Sequence, residues 1–386
     1  MRAVVTKVLI SMALLVSPAC GQVPGSDRGQ TDSLRVARAL GGGERWLTDF
    51  SKISVPLEEI VSGGPPKDGI PSIDNPNFED GAAGDAWLEP REPVIVLEMG
   101  GETRAYPLRI LIRHEIVNDE IGGHPVVVTY CPLCNTSLVF DGLLDGRRLD
   151  FGTTGRLRHS DLVMYDRQTE TWWQQASGEA IVGSLLGTVL DFLPANTISW
   201  EMARRLHPDL RVLSRDTGFG RATYGANPYV GYDTQRGPYA PFFSLEIDDR
   251  FAALDRVAAI DLGRGWAAPF SELSQTGLAH GSVGETEFVV FWSAGVSSAV
   301  DAQSVATGRD VGATAAFDRR LGDIQLTFLL SDGAYRDEQT SSTWDFAGRA
   351  TAGPLAGQRL TPIPHGNHFW FAWAAFRPET EVWRAP

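Results

Sequence analysis

Two cysteines, Cys131 and Cys134, stand in the phrase Tyr130-Cys-Pro-Leu-Cys134, and the only other cysteine is Cys20. A CxxC at the end of a strand makes a knuckle whose two thiolates can grip one metal ion. His114 and His159 flank it in sequence, so His114, Cys131, Cys134 and His159 form a candidate four-ligand set. Sulfur combined with imidazole suits copper or zinc, and spacing alone does not choose between them. The same residues admit a thiol chemistry, with Cys131 as nucleophile, Cys134 as resolving thiol and His114 as base. They also admit a structural CxxC in a non-catalytic surface module that binds a partner or ligand.

Around His114 the chain reads Arg113-His-Glu-Ile-Val-Asn-Asp119. Glu115 and Asp119 are candidates for a general base or for fixing the tautomer of His114. The candidate catalytic residues are therefore His114, Glu115, Asp119 and Cys131. Arg156 and Arg158 are candidates to hold an anionic substrate. Redox proteins with a CPxC place the first cysteine at a helix N-terminus, which lowers its pKa. Here the residues after Cys134 read as a strand (Thr136 to Asp141), so that device is missing.

The chain supplies its own control. Residues 178–212 align without a gap on 348–382, with ten identities that include Gly178/Gly348, Gly187/Gly357 and Trp200/Trp370. Turn glycines and a large aromatic repeating in register predict a shared backbone. Aligning Val128 on Val290 sets Ser293 at Cys131 and Val296 at Cys134. Aligning Pro107 on Pro269 sets Thr276 at His114, and Gly152 on Gly312 sets Arg319 at His159. All four candidate ligands are replaced, so the reactive residues belong to the first copy alone.

The elements that must position them are short. β-branched runs predict strands over 93–98, 103–106, 125–130 and 136–141, with further strands at 148–151 and 162–165. Helices are expected over 107–115 and 197–206. The second half repeats the plan, with a strand at 287–292 matching 125–130, another at 325–330, and 308–314 matching 146–154. Forty-one Gly and 23 Pro favour many turns over helix bundles. The expected class is mainly β (α+β): two pseudo-repeated β-rich domains with few short helices, the second lacking the site residues. Residues 34–235 form the site-bearing domain and 236–386 its degenerate copy.

Arg2 and Lys7 precede an apolar stretch from Val8 to Val16, and small residues lead to Cys20. This pattern predicts a signal peptide over 1–19 and a tether over 20–33. Cys20 becomes a lipid-attachment residue, or the protein is simply secreted. Either outcome puts it in the cell envelope or outside, where a CxxC is a disulfide, a redox pair or a metal site. The net charge of −14 argues against nucleic acid and anionic lipid as partners. A small molecule or a metal remains, with membrane contact only through a lipid anchor.

Several phrases occur in fixed order: Asp68-Gly-Ile-Pro71, Ala105-Tyr-Pro107, His114-Glu-Ile-Val-Asn-Asp119, Tyr130-Cys-Pro-Leu-Cys134, Ser160-Asp161, Met164-Tyr-Asp166 and Tyr229-Val-Gly-Tyr232. In these the sequence resembles the bacterial and archaeal DUF3179 family, over about residues 55–233. The resemblance implies an exported or lipid-anchored protein and supplies no activity. It also implies that His114 and Cys131 are the steadier pair, since Thr often replaces Cys134 and Asn often replaces His159.

Overall fold

The computed structural model describes Val36 and residues 40–386. The expected signal segment, Cys20 and the tether lie outside the described residues. No helix among the described residues is long and apolar enough to cross a membrane.

The fold is mostly β with short helices. In the first half, β1 (Pro93–Met99) and β2 (Glu102–Pro107) form a hairpin whose turn, Gly100-Gly101, has φ of 59° and 82°. Two successive residues at positive φ match the right-handed twist of the flanking strands, and glycine takes them without strain. Then follow α1 (Leu108–His114), β3 (Ile116–Ile121), β4 (His124–Cys131) and β5 (Thr136–Asp141). Next come β6 (Phe151–Arg158), β7 (Asp161–Asp166), β8 (Trp172–Gln174), β9 (Glu179–Val182), β10 (Ala195–Ser199), α2 (Trp200–Leu206) and β11 (Arg211–Leu213). The expected helix over 197–206 starts later. Thr197 to Ser199 extend β10, and the Ser199 side chain accepts from Met202 N to cap the helix.

The second half comprises β12 (Arg256–Asp261), β13 (Gly265–Pro269), α3 (Phe270–Thr276), β14 (Leu278–Val283), β15 (Thr286–Ser293) and β16 (Ala313–Asp318). It continues with β17 (Phe328–Ser331), β18 (Ala334–Asp337), β19 (Thr343–Trp344), β20 (Ala350–Ala352), β21 (Gly366–Phe369), α4 (Trp370–Phe376) and β22 (Glu381–Val382). The strand order β10-β1-β2-β11 reappears as β21-β12-β13-β22. Both have two antiparallel pairings followed by one parallel pairing. The order β3-β4-β5 reappears as β14-β15-β16, and β6-β7-β8-β9 as β17-β18-β19-β20. Hydrogen bonds recur at the same places. Leu190 N donates to Gly178 O at 2.9 Å and Leu360 N to Gly348 O at 2.9 Å. Asp166 accepts from the Trp173 indole at 3.0 Å, and Asp337 accepts from the Trp344 indole at 2.9 Å.

The halves differ at two turns, and these decide the fate of the aligned residues. Cys131 pairs with Thr136 across a tight turn, whereas Ser293 pairs with Ala313 across a long connection over 294–312. Ser293 thus stands where Cys131 does, but Val296 lies inside that connection and has no counterpart in Cys134. The second difference is a hairpin. Phe151 pairs with Asp166 and Phe328 with Asp337, but the first hairpin runs on to Arg158–Asp161 while the second closes at Ser331–Ala334. The tip carrying His159 is therefore missing from the second half. Arg319 instead corresponds to Gly142, because its carbonyl accepts from Leu326 N at 2.9 Å as that of Gly142 accepts from Leu149 N at 2.8 Å.

The halves cross over one another. Strand β10 packs on β16, and β21 packs on β5. One apolar cluster draws on both, joining Val128, Cys131 and Cys134 to Val300, Phe369 and Phe371. The connecting segment is held by the second half: Gly231 N donates to Asp301 O at 2.6 Å and Asn227 N to Gln303 O at 2.8 Å. Buried Asp233 binds the buried Arg256 guanidinium at 2.7 Å, the Ser298 hydroxyl at 2.5 Å and Arg309 at 2.7 Å. The expected division near residue 235 thus falls inside a region of dense interhalf contact.

Two measurements test this packing. Asp233→Ala leaves Arg256 buried without its partner and should cost about 3–5 kcal/mol in urea denaturation. His368 is fully buried against Thr136, at 2.8 Å, and burial lowers its pKa to about 3 from 6.5. The unfolded chain binds a proton that the folded chain refuses, so this stabilising contribution is complete above pH 6.5 and is lost as pH falls towards 3. His368→Asn should accordingly show a shallower fall of melting temperature between about pH 7 and about pH 4 than the wild type.

Candidate metal centre

Three turns converge at one buried point. The first is the knuckle Cys131–Asn135, where β4 hands over to β5. Asn135 takes φ of 52°, and its N–H donates to Pro132 O at 3.2 Å. Phe369 N donates to Cys134 O at 2.9 Å, so the second half holds the knuckle from outside. The second is the tip between β6 and β7, where His159 and Ser160 have φ of 52° and 68°. Ser160 N donates to Phe242 O at 2.7 Å, which ties the tip to the connecting segment. The third is Glu115, the C-cap of α1, with φ of 58°.

At that point the sulfurs of Cys131 and Cys134 and a carboxylate oxygen of Asp161 all lie within 4.8 Å of one another. This is the only such group of three or more His, Cys, Asp or Glu ligand atoms among the described residues. Both thiols are free, and Cys131 Sγ reaches Ser160 O at 3.7 Å. Asp161 is held by one oxygen: Oδ2 accepts from the Gln174 amide at 2.6 Å and from Ala176 N at 2.9 Å. Its Oδ1 takes no hydrogen bond from a nitrogen or oxygen donor, and both thiols lie close enough to the carboxylate to favour its ionised form. A buried carboxylate oxygen served by no donor stronger than a thiol is expensive, and such atoms point to an ion or a proton. Burial pushes the Asp161 carboxyl up to about 6 and raises both thiols. Burial, with Asp161 nearby, pushes Glu115 up to about 8. Four acidic groups here share a dry space in which they cannot all ionise without a cation.

The two histidines are elsewhere. His114 Nδ1 lies 2.7 Å from Pro71 O and Nε2 lies 2.6 Å from the Tyr224 hydroxyl, so both ring nitrogens are occupied. His159 Nε2 pairs with Glu59 at 3.1 Å, and its ring faces Phe243 and Phe376. Neither joins the sulfur group; of the four residues grouped by spacing only Cys131 and Cys134 come together, and the ligand-type atom beside them is that of Asp161. The reason is tertiary: His114 ends a helix that faces the loops at Pro71 and Tyr224, and the buried His159 packs at the hairpin tip against Glu59, Phe243 and Phe376, while the next residues bring Asp161 to the sulfurs.

The remaining candidates divide in the same way. Asp119 is bound by Arg104 at 2.6 Å, Tyr106 at 2.6 Å and Glu120 N at 2.7 Å, which leaves it no free role as a base. Arg158 pairs with Glu59 at 2.7 Å and Arg156 Nε donates to Leu40 O at 2.8 Å, so both intended substrate cations are occupied. Glu115 alone of the helper residues sits beside the sulfurs. Sequence reasoning missed Asp161 as a neighbour of the sulfurs, and Tyr229 and Tyr232 as neighbours of the cysteines, which they are close enough to influence. The phrases Ser160-Asp161 and Tyr229-Val-Gly-Tyr232 carried that signal.

A family profile described as "Protein of unknown function (DUF3179)" matches residues 67–380. The chain belongs to the DUF3179 family. The match runs through both halves of this DUF3179 chain, well past the stretch ending near residue 233 that carries the resemblance. No curated protein and no solved structure matches it.

His114→Ala tests the new assignment. It removes two hydrogen bonds that join three loops and should cost about 1–3 kcal/mol in chemical denaturation. Cys131 and Cys134 should stay as slow to react with a thiol reagent in the native protein as in the wild type.

Proposed function

We propose that this DUF3179 protein is an exported metal-binding protein that holds one ion between Cys131, Cys134 and Asp161. The observation that carries the reading is the buried Asp161 carboxylate, which has one oxygen within 4.8 Å of both sulfurs and an Oδ1 that takes no hydrogen bond from a nitrogen or oxygen donor. Two thiolates and a carboxylate are zinc-type donors. Copper(I), the softer alternative, prefers sulfur and imidazole and has less use for an oxygen ligand. Zinc is therefore favoured over copper. The site is enclosed: Cys134 and Asp161 have no exposed surface and Cys131 is 2% exposed. Enclosure suits an ion that is carried or held more than one that turns over a large substrate.

The competing thiol chemistry is disfavoured by the same burial. An attacking cysteine needs a lowered pKa, and burial raises both thiols here. The export reading rests on Arg2, Lys7 and the apolar stretch before Cys20.

The test is metal content by mass spectrometry on reduced, purified protein and on Cys131→Ser and Asp161→Asn. About one equivalent of zinc is expected in the wild type. Cys131→Ser should lose it, and Asp161→Asn should retain much less. Metal-free wild-type protein that also fails to take up added zinc would overturn the reading.

A further inference from the structure

Glu115 is an anomaly that the three-residue site does not use. It is the C-cap of α1 at φ of 58°, a left-handed conformation that a side chain with a Cβ adopts at some cost. The second half solves the same local problem differently. Its helix α3 ends on Gly277 at φ of 75°, and Gly277 N donates to Leu273 O at 2.8 Å as Glu115 N donates to Leu111 O at 2.7 Å. The following strands repeat the match: Tyr130 N donates to Glu115 O at 2.8 Å and Trp292 N to Gly277 O at 2.9 Å. Glycine thus suffices for this backbone. The backbone does not require a glutamate there, and the half with the glycine is the half without the cysteines.

That side chain is poorly explained by packing. Glu115 makes no side-chain hydrogen bond or ion pair with a described residue, although only 8% of its surface is exposed. It is the least buried of the four acidic groups, while Cys134 and Asp161 are fully enclosed. Tetrahedral zinc sites take four donors, and Cys131, Cys134 and Asp161 supply three.

We propose that Glu115 is the fourth donor of the ion and its outermost ligand, the one through which the ion enters and leaves. This rests on the metal reading above and deepens it: the ion is exchangeable cargo, not a permanent staple. In the present conformation the Glu115 carboxyl lies outside the 4.8 Å group, so ligation requires its side chain to turn inward. A ligand that reaches the ion by a side-chain rotation releases it by the reverse motion, without unfolding the knuckle.

The experiment measures zinc affinity and release by competition with a chromophoric chelator, and the absorption of the cobalt-substituted protein. It uses the full reduced chain as wild type, Glu115→Gln, Glu115→Gly and, as control, Asp161→Asn. Both Glu115 variants should bind zinc about tenfold or more weakly, release it faster and shift the cobalt bands. Metal-free Glu115→Gly should melt no lower than the metal-free wild type, because glycine is at ease at this φ. Wild-type affinity and cobalt bands in both variants would overturn the role of Glu115 and leave the three-residue site standing, provided Asp161→Asn is impaired. A wild type that binds neither zinc nor cobalt would remove the metal reading and this inference together. A large drop in the melting temperature of metal-free Glu115→Gly would show that the side chain serves the fold, and would also overturn the proposal.

Discussion

The constraint on which the site depends is charge in a dry space. Two thiols and the Asp161 carboxyl are packed together where water cannot solvate their ionised forms, the Glu115 carboxyl lies near enough to raise the Cys131 thiol further, and Asp161 Oδ1 has no nitrogen or oxygen donor. Such a grouping survives only if protons neutralise it or a cation does. Everything around it restricts the first solution's appeal. Oδ2 of Asp161 is already fixed by Gln174 and Ala176, which favours the ionised carboxylate. A carboxyl built only to be neutral has no need of two donors on one oxygen.

The two halves divide the labour. Both use the same strand order, the same parallel edge pairing and the same tryptophan–aspartate lock. In the first half the turn after β4 is short and carries both cysteines, and the hairpin after β6 is long enough to deliver Asp161. In the second half the lengths are reversed: the turn after β15 is long and the hairpin after β17 is short. The long connection has its own use, since its residues Val300 to Gln303 bind the segment from Asn227 to Tyr232. That segment carries Tyr229 and Tyr232, which flank the cysteines. The second half therefore holds the segment that flanks the cysteines of the first.

Much of the scaffold was legible. Alternating and β-branched runs marked β1, β4 and β5 to within a residue or two, because a strand's pattern is set by its nearest neighbours in sequence. The gapless block over 178–212 and 348–382 was equally clear, since turn glycines such as Gly187 and Gly357, at φ of 81° and 89°, cannot easily be exchanged. The weaker alignments held where the connecting turns have equal length, as at Thr276 and Ser293. They slipped at Val296 and Arg319, because a change of loop length leaves no trace in residue identities.

Residue types and their spacing determined, from sequence alone, that the chain is β-rich, and they singled out Cys131, Cys134 and Glu115 as candidates. Tertiary structure decided the rest. It took His114 and His159 away to Pro71, Tyr224 and Glu59, and it brought Asp161 in from a hairpin tip thirty residues downstream of Cys131. The physical reason is direction. Sequence spacing sets how far apart two residues can be, but only the twist of a hairpin and the register of its tip set which side chain faces the sulfurs and which packs elsewhere.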